Sequence, residues 1–167
     1  YYGSDTPFME YFEIEAISFL LARLKPLKVL EWGSGQSTLF FSQFIDENSE
    51  WHAIEHVEDW ALKISLTNTN TNVKIHHVPA NNPKFDNNQI SGASYDDFKN
   101  YLELPSDLGP FDLIIVDGRA RVSCLEKAST YLSPNGLIIL HDANRKRYWS
   151  ATRSFTHQMF LLSTTLD

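Results

Sequence analysis

Residues 28–38 read Lys28-Val-Leu-Glu-Trp-Gly-Ser-Gly-Gln-Ser-Thr38. An apolar run ends in a carboxylate and is followed by two glycines one residue apart. Small hydroxyl residues then open an amphipathic segment. This order reads as a buried strand, a tight glycine loop and a helix start, the unit with which open α/β sheets build a nucleotide-type cofactor site. Glu31 stands two residues before Gly33, where it would repel a pyrophosphate, so a cationic or ribose-bearing ligand fits better than a dinucleotide. Thr38 replaces the third glycine of the dinucleotide fingerprint, and no Gly-Lys-Ser/Thr follows, which excludes a P-loop.

Working outward, residues 51–55 and 73–78 are short apolar stretches bounded by polar turns and predict the second and third strands. Residues 111–116 (Phe-Asp-Leu-Ile-Ile-Val) and 137–140 (Leu-Ile-Ile-Leu) do not alternate, so they read as strands buried on both faces. Helical spacing runs over 8–24, 37–45, 60–66 and 122–132. Asp5-Thr6-Pro7 caps the first helix, and Ser133-Pro134-Asn135-Gly136 is a helix-stop turn after the last. Alternating strands and helices imply right-handed crossovers and a parallel sheet. The tail predicts a helix over 145–155 and a strand over 159–164. The polar, irregular stretch 79–110 contains a short helix within 95–104. A loop of this length in a compact domain is a functional lid or a mobile segment. The expectation is one domain over 1–167, with an N-terminal helix in 1–26 and 79–110 as an insert that covers an acceptor.

The chain has 167 residues, is 43% hydrophobic and carries a net charge of −7, which suits one domain with a real core and argues against nucleic acid as a partner. The single cysteine, Cys124, rules out an intramolecular disulfide and predicts a reducing, cytoplasmic setting. No apolar run approaches the roughly 18 residues that span a bilayer, so no membrane contact is expected. No basic-then-apolar leader is visible. The chain opens on Tyr1 rather than Met, which points to trimming or to a piece of a longer protein.

Ligands of open α/β sheets bind beyond the carboxyl ends of the strands. Those ends supply Glu31, Gly33 and Gly35; Glu55; Ala80 and Asn81; Asp117, Gly118 and Arg119; and His141, Asp142 and Asn144. Polar residues from five separate places therefore converge on one sheet edge. Glu55, 20 residues after Gly35, has the spacing of a carboxylate that accepts both hydroxyls of a ribose. The alternative is that Glu55 and His56 form a solvated strand end.

Taken together, Val-Leu-Glu-Trp-Gly-Ser-Gly-Gln-Ser-Thr, the acidic Glu55, Phe-Asp-Leu-Ile-Ile-Val-Asp-Gly and Ser-Pro-Asn-Gly-Leu-Ile-Ile-Leu-His-Asp resemble class I S-adenosylmethionine-dependent methyltransferases. The likeness covers residues 28–142, and the nearest look is to O-methyltransferases of small molecules. The resemblance implies a Rossmann-like, doubly wound αβα sandwich whose mostly parallel sheet has strand order 3-2-1-4-5 plus one or two C-terminal strands. Only about 25 residues follow the fifth strand, so terminal strands of the family's seven are expected to be missing or rearranged. The resemblance implies S-adenosylmethionine as cofactor. Glu31 and the loop Gly33, Ser34, Gly35, Gln36, Ser37 and Thr38 would hold its amino-acid part. Glu55, with His56, would hold the ribose, Asn81 would lie near the adenine, and Asp117 would complete the pocket.

For catalysis, Asp117, His141 and Asp142 end adjacent strands. In one mechanism His141 is the general base for an acceptor hydroxyl, held by a neighbouring carboxylate. In the other, Asp117 and Asp142, with Asn144, bind a divalent cation such as Mg²⁺ that lowers the acceptor's pKa. A strand-end histidine bonded to backbone is the plain alternative for His141. Arg119 and Arg121 either orient an acidic acceptor or neutralise Asp117. Two further readings stay open: a non-catalytic binding or assembly module on the same fold, and a nicotinamide-dependent oxidoreductase, which Glu31 and the absent third glycine disfavour. The aromatic first helix is a surface on which a homodimer could pack.

Overall fold

The computed structural model describes residues 6–86 and 93–161. Its centre is a parallel sheet of β1 (Lys28–Trp32), β2 (Glu50–Glu55), β3 (Val73–His77), β4 (Phe111–Val116) and β5 (Leu132–Leu140). The strands lie in the order β3-β2-β1-β4-β5, and every pairing is parallel. β1 therefore lies between β2 and β4, and the chain crosses from β3 back to β4 beside it. Strand order reverses there, and a crevice opens at such a point.

Alternation along β1 sorts its side chains between two helical layers. Val29 joins Ile14, Ile17 and Leu21 of α1 (Tyr11–Leu24) and Phe41 of α2 (Gln36–Phe41), with Trp51, Leu113 and Ile115. Leu30 and Trp32 face the other way. They meet Phe98, Tyr101 and Leu102, and Cys124, Leu125 and Ala128 of α6 (Arg121–Tyr131). Helix α3 (Glu58–Thr67) packs beside α2 and on β2 and β3. The short helix expected within 95–104 is α4 (Lys99–Glu103), α5 (Pro105–Leu108) follows it, and α7 (Trp149–Thr152) lies against α6. Part of that stretch is core: Phe98, Tyr101 and Leu102 have no exposed surface, and the Trp32 indole donates to the Tyr101 carbonyl at 3.1 Å.

β1 and β4 coincide with the apolar runs that predict them. β5 differs. Leu132 already pairs with Phe111, and Leu137 with Leu113, so residues 133–136 bulge out of the ladder where a separate turn was expected. Among the described residues β5 pairs only with β4, and Leu137 is 40% exposed, so this run is an edge rather than a strand buried on both faces. Of the expected strand 159–164, residues 159–161 carry no strand and the rest lies outside the described residues. Asp112 ties the strand starts together: one carboxylate oxygen accepts from the backbone N–H groups of Leu27 and Lys28, and the other from the Ser133 hydroxyl. Among the described residues, no helix is long and apolar enough to cross a membrane.

Candidate active site

A cleft of about 460 Å³ opens at the crossover between β1 and β4, within the roughly 300–1,000 Å³ typical of small-ligand sites. The loop after β1 supplies Gly33, Ser34, Gly35, Gln36 and Ser37 to its wall. Glu55 and His56 come from the end of β2, Trp60 from α3, and Asp117, Gly118, Arg119 and Arg121 from the end of β4 and the start of α6. Phe8 and Met9 close the rim ahead of α1. Two glycines make the floor possible. Gly33 has φ +99°, and a Cβ built on it would lie 2.5 Å from the Gly118 Cα.

Glu31 sits beneath this loop, not in it. Alternation sends its side chain into the α1–α2 layer, where it has no exposed surface and lines no part of the cleft. The Ser37 and Thr38 hydroxyls donate to its two oxygens at 2.6 Å each, and the Trp51 indole N–H donates at 3.0 Å. Thr38 in turn accepts the Gly35 N–H at 2.9 Å. This corrects the expectation that Glu31 and Thr38 reach a ligand: the pair anchors the glycine loop from below. Burial pushes the Glu31 carboxyl up to about 7, although the three hydrogen bonds pull it down. A carboxyl raised in the fold favours folding while protonated, and that contribution is lost as pH rises through about 7. Stability is therefore expected to fall as pH rises from about 4.5 to about 7 and to level off above that, by an amount on the order of 3 kcal/mol. Glu31→Gln, neutral throughout, should flatten this decline in thermal denaturation; an equally steep decline in the variant would remove Glu31 as its cause.

Glu55 is held by its own strand end. Its Oε1 accepts from the backbone N–H groups of His56 and Val57 at 2.8 and 2.9 Å and lies 2.9 Å from His56 Nδ1. A carboxylate only accepts, so the proton of that last contact belongs to Nδ1, and in the neutral ring Nε2 is an acceptor. Among the described residues, His56 Nε2 and Ser34 Oγ are buried polar atoms of cleft residues with no hydrogen-bond partner. Such atoms are costly to bury unless a partner such as an ordered water meets them. Trp60 donates its indole N–H to the Ser34 carbonyl at 2.6 Å and fixes that wall.

The β4 and β5 ends form an ionic cluster. Asp117 Oδ1 accepts from Arg121 Nη2 at 2.9 Å and from His141 Nδ1 at 2.7 Å. The other ring nitrogen of His141 faces Glu13 of α1 at 3.6 Å. Burial opposes protonation of His141, but the Asp117 hydrogen bond and charge, with Asp142 and Glu13 adding to them, hold its pKa above the ordinary imidazole value. A ring whose Nδ1 is held by Asp117, whose other nitrogen faces Glu13 and which is absent from the cleft wall is not placed as a general base, which corrects that expectation. Asp142, in the left-handed region at φ +60°, bonds Arg121 at 3.1 Å and Arg145 at 2.7 Å and also lines no part of the cleft.

Asn144 is exposed. Asn81 is exposed too, with its Oδ1 taken by the Asn100 N–H at 2.9 Å, so it lines no part of the cleft either. Among the described residues, no group of three or more His, Cys, Asp or Glu side chains could hold a metal ion. Asp117 and Asp142 are instead bridged by the Arg121 guanidinium, which leaves no place between them for a divalent cation. Of Arg121's two expected roles, the geometry gives it the neutralisation of Asp117.

A doubly wound parallel sheet with a cleft at its crossover defines a Rossmann-like fold. The chain belongs to the methyltransferase-domain family, which matches residues 30–143. No curated protein sequence matches it. Among solved structures it is similar to a methyltransferase-like protein from Silicibacter pomeroyi, at 18% identity and TM-score 0.66, over 95% of this chain and 86% of that one. It is similar to an O-methyltransferase from Bacillus cereus solved in complex with SAH, at 16% identity and TM-score 0.64, over 92% and 74%. The SAH-bound methyltransferase PaMTH1 of Podospora anserina matches at 21% identity and TM-score 0.59, over 80% of this chain and 53% of that one. The chain thus spans about half the length of the Podospora enzyme.

Proposed function

We propose that this chain binds S-adenosylmethionine in the cleft and transfers its methyl group to an oxygen of a small-molecule acceptor. The observation that carries this reading is the carboxylate of Glu55, fixed at the end of β2 on the cleft wall and facing the glycine loop at the strand crossover. Two of the structural neighbours hold the demethylated product of this cofactor, and one is named an O-methyltransferase.

The bound cofactor would supply an electrophilic methyl on a sulfonium. Glu55 would accept the ribose hydroxyls on the oxygen its own backbone does not use. Ser34, Gln36 and Ser37, with the backbone of Gly33 and Gly35, would hold the amino-acid end. With Glu55 given to the ribose, Asp117 is the remaining acid on the cleft wall, and it would orient the acceptor hydroxyl and take its proton. Arg121 and His141 act through Asp117 as positioning residues. The acceptor would enter past Phe8 and Met9, because none of the described residues of 79–110 lines the cleft.

The same reading keeps the chain in a reducing cytoplasm. The lone Cys124, with no second cysteine to form an intramolecular disulfide, supports it. It leaves the exposed Tyr11 and Phe19 of α1 as a homodimer surface. Calorimetric titration separates the candidate ligands. S-adenosylhomocysteine is expected to bind at one site per chain and NAD to give no heat. NAD binding in its place would overturn the donor assignment.

A further inference from the structure

The residues between the ends of β4 and β5 already contain a cation, and it belongs to the chain. Arg121 has five N–H donors, and all five have acceptors. Nε donates to the Gly118 carbonyl at 3.0 Å. Nη1 donates to the His141 carbonyl at 2.7 Å and to Asp142 Oδ2 at 3.1 Å. Nη2 donates to the Asp117 carbonyl at 2.7 Å and to Asp117 Oδ1 at 2.9 Å. The guanidinium thus bridges two strand-end carboxylates and three strand-end carbonyls. These are the oxygen ligands a hard divalent ion would take. Its side chain is 12% exposed, so the contacts are mostly shielded from water.

Charge points the same way. Asp117 and Asp142 carry two negative charges, and Arg121 with Arg145, 2.7 Å from Asp142, supplies two positive ones. The two arginines offset the carboxylate pair before any ion arrives, and the His141 ring, 2.7 Å from Asp117, takes one of its oxygens as well. A divalent ion would have to displace a planar, fully hydrogen-bonded guanidinium and leave it unpaired in a half-buried position, which is costly.

We infer that Arg121 is a built-in replacement for a divalent cation, and that the reaction at this cleft proceeds with no metal ion between Asp117 and Asp142. The inference rests on the methyl-transfer reading only for its consequence in catalysis. The acceptor is then oriented by side chains such as Asp117 rather than by chelation, so it needs no pair of adjacent oxygens. Arg121 itself is a positioning residue. It holds the β4 and β5 ends at fixed separation and sets the orientation of Asp117.

The test uses Mn²⁺ as probe and reads the free ion by electron paramagnetic resonance, a signal independent of turnover. The native chain is expected to leave millimolar Mn²⁺ free, with and without S-adenosylhomocysteine. Arg121→Ala, which strips five acceptors of their donor, is expected to gain Mn²⁺ binding, seen as loss of the free-ion signal. Arg121→Lys keeps a charge at the site and should leave the ion free as the native chain does. Stoichiometric Mn²⁺ binding by the native chain that Asp142→Asn abolishes would overturn the inference, and this arm stands even where Arg121→Ala does not fold. A folded Arg121→Ala that leaves Mn²⁺ free would overturn it as well. Failure of S-adenosylhomocysteine to bind would count against the donor assignment and leave the metal readout intact.

Discussion

Gly33→Ala should lose ligand binding and much of its fold stability together, whereas Gly35→Ala should lose binding alone. At Gly33 the backbone has φ +99°, a region closed to side chains, and holding alanine there costs about 1–3 kcal/mol. The new Cβ would also lie 2.5 Å from Gly118 Cα and 2.6 Å from Gly118 N, backbone atoms that cannot swing aside. Overpacking of that kind costs a further ~1–3 kcal/mol. The strain falls where the end of β1 is tied to both neighbours, with Gly33 N–H donating to the Ile54 carbonyl at 2.9 Å and Asp117 N–H to the Trp32 carbonyl at 3.0 Å. Moving Gly33 therefore moves the cleft floor. Gly35 has φ −177°, extended backbone open to any residue. A Cβ there would meet only Ser37 Oγ and Trp60 Nε1, both at 3.9 Å, so it would project into open cleft space. Thermal denaturation with a parallel S-adenosylhomocysteine titration checks the pair. A Gly33→Ala chain with native melting temperature, or a Gly35→Ala chain with native affinity, would contradict this account of the loop.

The two glycines also show what a sequence makes legible here. The spacing of Gly33 and Gly35 after an apolar run predicts strand, loop and helix start, because only a glycine-rich turn lets β1 and β4 approach so closely. β1 and β4 can be read residue for residue because strands buried on both faces leave unbroken apolar runs. β5 has the same kind of run yet lies at an edge, since burial depends on which strands flank it, and nothing local encodes that. Glu31 is a subtler case. Its place at the strand end is readable, but its face follows from the period of two, which pairs it with Val29 and turns it toward Ser37, Thr38 and Trp51. A parity count along β1 would have assigned it to the support of the loop. The Arg121 bridge has no such signal: its acceptors come from residues 117, 118, 141 and 142, brought together only by the pairing of β4 with β5. The core helices at 99–108 hide behind polar neighbours. Their buried faces show only in Phe98, Tyr101 and Leu102 at helical spacing.

Glu55→Ala is expected to weaken S-adenosylhomocysteine binding at least about 100-fold, on the order of 3 kcal/mol, the worth of two hydroxyls donating to one carboxylate. Alanine removes more than the ligand contact. The His56 and Val57 N–H groups, 2.8 and 2.9 Å from Oε1, would lose their acceptor, and His56 Nδ1 would lose its partner. Stability should therefore fall too, by about 1–3 kcal/mol. Glu55→Gln separates the two effects. Its amide oxygen can keep the Oε1 position, because three donors converge there and an NH₂ group in that place would face N–H groups it cannot bond. The NH₂ then takes the remaining position, where a ribose hydroxyl needs an acceptor. The glutamine variant should melt close to the native chain and still lose roughly tenfold or more in affinity, since a hydrogen bond to a charged group is worth about 1.5–3 kcal/mol. Calorimetry on both variants decides. If Glu55→Gln binds as tightly as the native chain, Glu55 serves only to hold the β2 end, and the ribose must be sought on another wall of the cleft.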